Sequence, residues 1–365
     1  MHTRVYFYCV PTEGPGPVAY QHLVVCLAEG LRALGVSCYA NVNYWPLDTS
    51  RTRFLLEHNP EVVPGDCDIV IISDDWFTWG GRPMPEGLFR ADRRYVTVAL
   101  DRQDGTRLIT LQPEFRDFDL VLRTHYNEST RYPGNFRPWA YGLSERIIEA
   151  TKDAWPTAER RNVLLANWRH SQNPHSVRLA VERTFLPRIA SVLPVDSSHE
   201  ALDEPPQSSY ERVLWRETGR RHWHDYYRRL RESAACACFG GFFITRRPAN
   251  KAGTISRGLR RIVTSTGMQT TLVSQFDSWR LWESFAAGCA TFHVDLERYG
   301  CILPERPRNG IHYAGINLQK IDTTLAMLTD DPFFLIRIAD AGRTWALEHY
   351  SPRASAARLL TLLKV

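Results

Sequence analysis

The hydrophobic pattern of this chain alternates between two habits. Residues 5–10, 67–72, 95–100 and 118–122 are short, mainly apolar runs of strand length without regular alternation, which implies strands buried on both faces of a parallel sheet. After the first run, Val24, Leu27, Leu31 and Leu34 recur at helical spacing up to Gly35, a good helix stop, and residues 36–42 supply the next strand. Strand, loop, helix and strand in this order predict a βαβ unit. The loop inside it, residues 11–17, is too rich in proline and glycine to be helical. Its Gly14 and Gly16 lack the spacing of a dinucleotide fingerprint, so NAD binding is not predicted.

From residue 143 to 161 the chain becomes polar and helix-prone, with a break at Trp155 and Pro156, and reads as a connection. A second α/β pattern then begins: a strand over 162–166, a loop over 167–174, and a helix carrying Val177, Ala180, Val181 and Phe185. Residues 197–219 read as a surface excursion, 223–232 as a helix, and 234–244 as one buried strand opened by Gly240 and Gly241. Phe334, Ile338, Ala341 and Trp345 mark a further helix. Ser351 as N-cap and Pro352 at the first helical position start the last one, with Leu359, Leu360 and Leu363. The expected architecture is α/β with two doubly wound parallel-sheet domains, at 1–145 and 162–350, joined by 146–161 and closed by a C-terminal helix at 351–365. A length of 365 residues accommodates two such cores.

The segment 277–294 carries the most chemistry. It reads as a polar-tipped helix, a stop at Gly288 and a buried strand from Cys289. Arg280 and Glu283, three residues apart, share a helix face near its start, while Leu281, Phe285 and Ala286 face inward. Such junctions in open α/β folds place nucleotides beside helix N-termini, so a nucleotide is the expected ligand. An ordinary solvated ion pair is the alternative.

Arg280, Leu281, Glu283, Gly288 and Cys289 resemble the R-L-x-E-A-x-x-x-G-C-x-P-V signature of GT-B glycosyltransferases, in particular the exostosin-like and CgeB-like groups. The signature's alanine falls at Ser284 and its proline at Thr291; a first glutamate, eight residues upstream in many retaining members, is replaced by Gln275. His349-Tyr350 resembles a terminal element of the same transferases. The resemblance implies a GT-B fold, two Rossmann-like domains facing a cleft, with a nucleotide sugar in the second domain and an acceptor in the first. It assigns the ribose hydroxyls to Glu283 and the diphosphate to Arg280 and its neighbours, lets the backbone at Gly240 and Gly241 approach the nucleotide, and needs no cofactor beyond the donor.

Composition adds limits. With 44% apolar and 23% charged residues, no apolar run long enough to span a bilayer and a strand rather than a cleavable signal at the start, a cytoplasmic globular protein is expected. The eight cysteines fall mostly in apolar runs and read as buried thiols. The net charge of +5 is modest, but Arg246, Arg247, Lys251, Arg257, Arg260 and Arg261 form a basic run free of acids between 245 and 270. It reads either as a solvated loop or as a clamp on a diphosphate or an anionic acceptor, with Arg178 as a further phosphate candidate. Acceptor chemistry falls to loops after first-domain strands: Asp75, His125 and His22, with Asp74 as a turn or N-cap residue. His222 and His224 with Cys236 and Cys238 lack zinc-ligand spacing, and no metal site is predicted. The acceptor, whether glycan, small molecule, protein or nucleic acid, is not specified. A sugar-nucleotide epimerase or an inactive binding relative are the other readings of the same fold.

Overall fold

The computed structural model describes residues 3–11, 20–78, 80–104, 111–128, 130–168, 170–197, 205–218, 224–245 and 271–364. Gly14, Gly16, His222, Arg246, Arg247 and the rest of the basic run lie outside the described residues.

Eight strands from the first part of the chain form one sheet: β1 (Arg4–Tyr8), β2 (Ser37–Ala40), β3 (Tyr44–Pro46), β4 (Phe54–His58), β5 (Ile69–Ser73), β6 (Val96–Asp101), β7 (Leu120–Arg123) and β8 (Phe136–Pro138). Their order is β3-β4-β2-β1-β5-β6-β7-β8, parallel throughout except for the antiparallel pair β3 and β4. β5 shows why its sequence is uniformly apolar. Ile69 and Ile71 enter a core with the helix His22–Ala33, while Val70 and Ile72 enter another with Phe115 and Phe118 on the opposite face.

The second sheet contains β9 (Arg161–Leu165), β10 (Val195–Asp196) and β11 (Ser233–Ala237). The run 234–244 is not one strand: the chain leaves this sheet after Ala237 and forms a hairpin of β12 (Phe242–Thr245) with β13 (Thr271–Ser274). Gly241 permits the departure. Its φ is +88°, and a Cβ there would lie 2.0 Å from the Ser274 carbonyl oxygen. The sheet resumes with β14 (Ala290–Val294) and β15 (Ala314–Ile316), giving the all-parallel order β10-β9-β11-β14-β15. The surface excursion contains a helix, Ser209–Glu217, whose N-cap Ser208 accepts from the Glu211 N–H. In the helix Phe334–Tyr350 the core positions include Ala339 and Gly342, with Ala341 only half-buried.

Ser351 caps the last helix, Pro352–Leu363, by accepting from the Ala354 N–H. This helix lies on His22–Ala33: Ala356 and Leu359 join the core beneath β1, and Arg353 donates to the Ala33 carbonyl at 2.9 Å. The approach leaves no room at Gly30, where a Cβ would sit 1.8 Å from the Pro352 carbonyl oxygen. Gly30→Ala should therefore cost about 1–3 kcal/mol of stability through overpacking. Chemical denaturation measures this, and a change below experimental error would mean that the two helices separate freely. No helix among the described residues is long and apolar enough to cross a membrane.

A second seam joins the loop after β7 to the other sheet's surroundings. Asn127 Nδ2 donates to the Val273 carbonyl at 2.6 Å, Glu128 N to Gly300 O at 3.0 Å, and Ile302 N to Tyr126 O at 2.9 Å. These bonds bring the carboxyl ends of the first sheet's later strands against residues 273–283.

Candidate active site

The helix Trp279–Ala286 follows an extended Ser278 (φ −160°, ψ 158°) whose side chain does not cap it. Ser278 Oγ is buried without a hydrogen-bond partner. A helix start with free amide hydrogens attracts anions, both through those donors and through the helix dipole. Arg280, half-buried on the first turn, makes no hydrogen bond or ion pair among the described residues, and its Nε is buried without a partner. The charge of Glu283, on the same helix, acts on this guanidinium without a direct ion pair.

Glu283 is 4% exposed. Its Oε1 accepts from the Tyr227 hydroxyl at 2.7 Å, and that hydroxyl accepts from Arg146 Nη1 at 2.9 Å. The neighbouring Tyr226 hydroxyl is buried without a partner, and burial, reinforced by Glu283, pushes its pKa well up. Arg280, Glu283 and Tyr226 thus lie in one neighbourhood. Two of the places where the sequence departs from the signature meet in the core: Ser284 and Thr291 share a 2.7 Å hydroxyl–hydroxyl bond. Gln275, in the position of the upstream glutamate, has φ +56°, a left-handed conformation that non-glycine residues adopt at a cost.

Gly241 is required by chain packing, whereas a Cβ at Gly240 would make only an ordinary 3.5 Å contact with the Gln275 carbonyl; Gly241 O accepts from the Val177 N–H at the start of the helix Val177–Thr184. Arg178, on the same helix, donates through Nε to the Phe239 carbonyl at 2.9 Å.

On the opposing side, strand ends of the first sheet deliver a cluster of charge. Asp75 is fully buried and held by Ser73 Oγ and by both Nε and Nη2 of Arg102. That double grip engages both carboxylate oxygens of the residue the sequence offered for acceptor chemistry. Asp74 is not a side-chain cap: its carboxylate accepts from the Arg102 N–H at 3.1 Å, and burial, together with the charge of Asp75, raises its pKa well above the usual range. Asp101 and Arg123, at adjoining ends of β6 and β7, form a buried ion pair.

His22 is held from both sides of its ring. Its Nδ1 faces the Tyr20 hydroxyl at 3.0 Å, its Nε2 faces Gly142 O at 3.3 Å, and Tyr20, Tyr141 and Trp279 surround the ring. Burial, then the charge of Arg146, lowers its pKa to about 3, so this imidazole stays neutral and braces the seam. His125 is buried with φ +53°. Its Nδ1 accepts from the Asp277 N–H at 3.1 Å, which places the ring proton on Nε2, 3.2 Å from the exposed carboxylate of Asp104. Asp277 ties the seam further: it accepts from Tyr141 N at 2.8 Å and Trp282 Nε1 at 2.7 Å, and burial raises its pKa to about 6.

Sequence reasoning missed Arg146, Tyr226, Tyr227, Asp104 and Asp277 as site neighbours. They come from four separate places in the chain, and only the Tyr226-Tyr227 pair on the mostly polar helix His224–Glu232 offered a local signal. Among the described residues no group of three or more His, Cys, Asp or Glu side chains is arranged to hold a metal ion.

No protein-family model matches the chain, and no curated protein matches it in sequence. Solved structures share its architecture. An alpha-glucosyltransferase in complex with UDP and a 13-mer DNA containing an HMU base superposes with a TM-score of 0.54 over 100% of both chains, at 8% identity. Alpha-glucosyltransferase in complex with UDP gives 0.53 over 99% of this chain and 100% of that one, at 9% identity. HepE from Anabaena, in complex with UDP and glucose, covers 100% of both chains at 12% identity with a TM-score of 0.42. The fold is therefore α/β and GT-B, with two parallel sheets, as the sequence led one to expect.

Proposed function

We propose that this protein is a glycosyltransferase that moves a hexosyl or pentosyl group from a nucleotide-diphosphate sugar to an acceptor hydroxyl. The observation that carries this reading is the helix start at 278–283, where an uncapped N-terminus and an unpaired arginine lie beside a buried carboxylate. Arg280 and the helix amides take the diphosphate; Glu283 takes the ribose hydroxyls, as its resemblance to the exostosin-like and CgeB-like signature implies. The GT-B architecture shared over the whole chain supports the same reading.

On this reading the bond from the sugar's anomeric carbon to the diphosphate breaks, and one to the acceptor oxygen forms. The negative charge gathering on the leaving diphosphate meets Arg280 and the helix dipole, which serve without a metal ion. The acceptor's proton passes to a carboxylate of the first sheet's loops. Asp104 is an exposed candidate, its carboxylate 3.2 Å from His125 Nε2. His125 acts as a positioning residue, because its other nitrogen is engaged by Asp277. The domain roles follow: donor in the second sheet's half, acceptor in the first. An acceptor hydroxyl on nucleic acid enters the assay alongside glycans, since the alpha-glucosyltransferase above was solved with DNA.

A thermal-shift panel of UDP, GDP, CMP, dTDP and ADP, with and without magnesium, tests the reading. A nucleotide at about a hundred times its Kd should add roughly 2.7 kcal/mol of stability. The expected result is stabilisation by one diphosphate, undiminished without magnesium. No shift from any of them would refute it.

A further inference from the structure

We infer that Tyr227 and Arg146 are positioning residues that hold Glu283 as an acceptor for a pair of ligand hydroxyls and so make the site selective for ribonucleotides. The inference rests on the nucleotide-sugar reading and specifies how its ribose end works. Tyr227 is the hydrogen-bond partner that Glu283 has among the described residues, and it occupies Oε1. Oε2 is left to accept. A carboxylate offers only acceptors, so the groups it selects are donors, and two adjacent hydroxyls match its two oxygens.

The phenol fixes which way the carboxylate faces, and the guanidinium fixes the phenol. Arg146 is itself held, its guanidinium 5.4 Å from the ring centre of Tyr20 and 5.7 Å from that of Trp279. All three members of the relay are buried: Arg146 is 9%, Tyr227 3% and Glu283 4% exposed. The relay also places a cation one phenol away from Glu283 without a direct ion pair that would block its carboxylate. Burial, with Glu283 close by, raises the Tyr227 pKa and keeps its hydroxyl a donor. Arg146 belongs to the helix Glu145–Thr151, in the connection between the two sheets, and Tyr227 to His224–Glu232. The ribose end is thus set by three elements that the sequence separates widely.

The test is calorimetric titration of wild type, Y227F, E283Q and the double variant with UDP and 2′,3′-dideoxy-UDP, or with GDP and its dideoxy counterpart if GDP is the nucleotide that binds. Wild type should prefer the ribonucleotide by about tenfold or more, the worth of a charge-assisted hydrogen bond. In Y227F that preference should shrink to within about threefold, and adding E283Q should change it little more, because the two residues act as one unit. R146K, which keeps the charge but loses the planar fork, should give an intermediate preference and serves if Y227F does not fold. A Y227F protein with the full preference, or one that weakens both ligands equally, overturns the positioning role while leaving nucleotide binding in place. A wild type that binds the nucleotide without preferring the ribose form overturns it too. Failure of wild type to bind any nucleoside diphosphate overturns the transferase reading and this inference with it.

Discussion

Arg123→Ala is expected to destabilise the folded chain by about 3–5 kcal/mol, the usual cost of orphaning one member of a buried ion pair. Arg123 ends β7 and Asp101 ends β6, paired in register, and their side chains are 2% and 0% exposed. Without the guanidinium, the Asp101 carboxylate keeps the Gln103 N–H at 3.0 Å but has lost the cation that offsets its desolvation. Taking the cation away from a fully buried carboxylate penalises the native state. Removing both charges in D101L/R123M should restore much of the loss, since apolar replacements of a buried pair are commonly neutral or better. Urea denaturation followed by tryptophan fluorescence and circular dichroism measures both variants. A single-variant loss below about 1 kcal/mol would show that water reaches the pair and screens it as it screens surface pairs.

That pair also shows where sequence reading reaches its limit. The strands beneath it were legible because burial on both faces writes an unbroken apolar run, as in β5, and the helices because their stops are local, as at Gly35 and Gly288, both with positive φ. The hairpin β12–β13 was not legible. Residues 234–244 are continuously apolar whether they form one strand or two, and the turn depends on how closely Gly241 meets Ser274, a partner thirty-odd residues away. The same holds for the site. Arg280 and Glu283 were visible because they sit on one helix at a fixed spacing. His22 and Asp75 follow strands at the right place for chemistry, yet their availability depends on Gly142, Tyr20 and Arg102, which no local pattern connects to them. Conversely, Asp104 looks like any loop carboxylate until His125 is seen 3.2 Å away.

Arg280→Met should weaken the binding of a nucleoside diphosphate by about 10–100-fold, the loss expected for a charge-assisted contact to phosphate. The uncharged nucleoside should bind the variant as it binds wild type. The ligand-free variant should unfold no earlier than wild type, and an increase in its melting temperature is the expected direction. This combination follows from one observation: without ligand the guanidinium has no hydrogen bond or ion pair among the described residues, while its Nε is buried. The nearby carboxylate of Glu283 is bonded to Tyr227 instead. A half-buried guanidinium with no hydrogen bond, eased only by the charge of Glu283 nearby, costs the empty fold free energy, and methionine fills a similar volume without that cost. Arg123 and Arg280 therefore predict opposite signs for the same kind of substitution, one completing the fold and the other, on the proposed function, serving the donor's diphosphate. If Arg280→Met destabilised the empty protein as Arg123→Ala should, or weakened nucleoside and diphosphate alike, Arg280 would belong to the scaffold and the diphosphate would have to be held elsewhere.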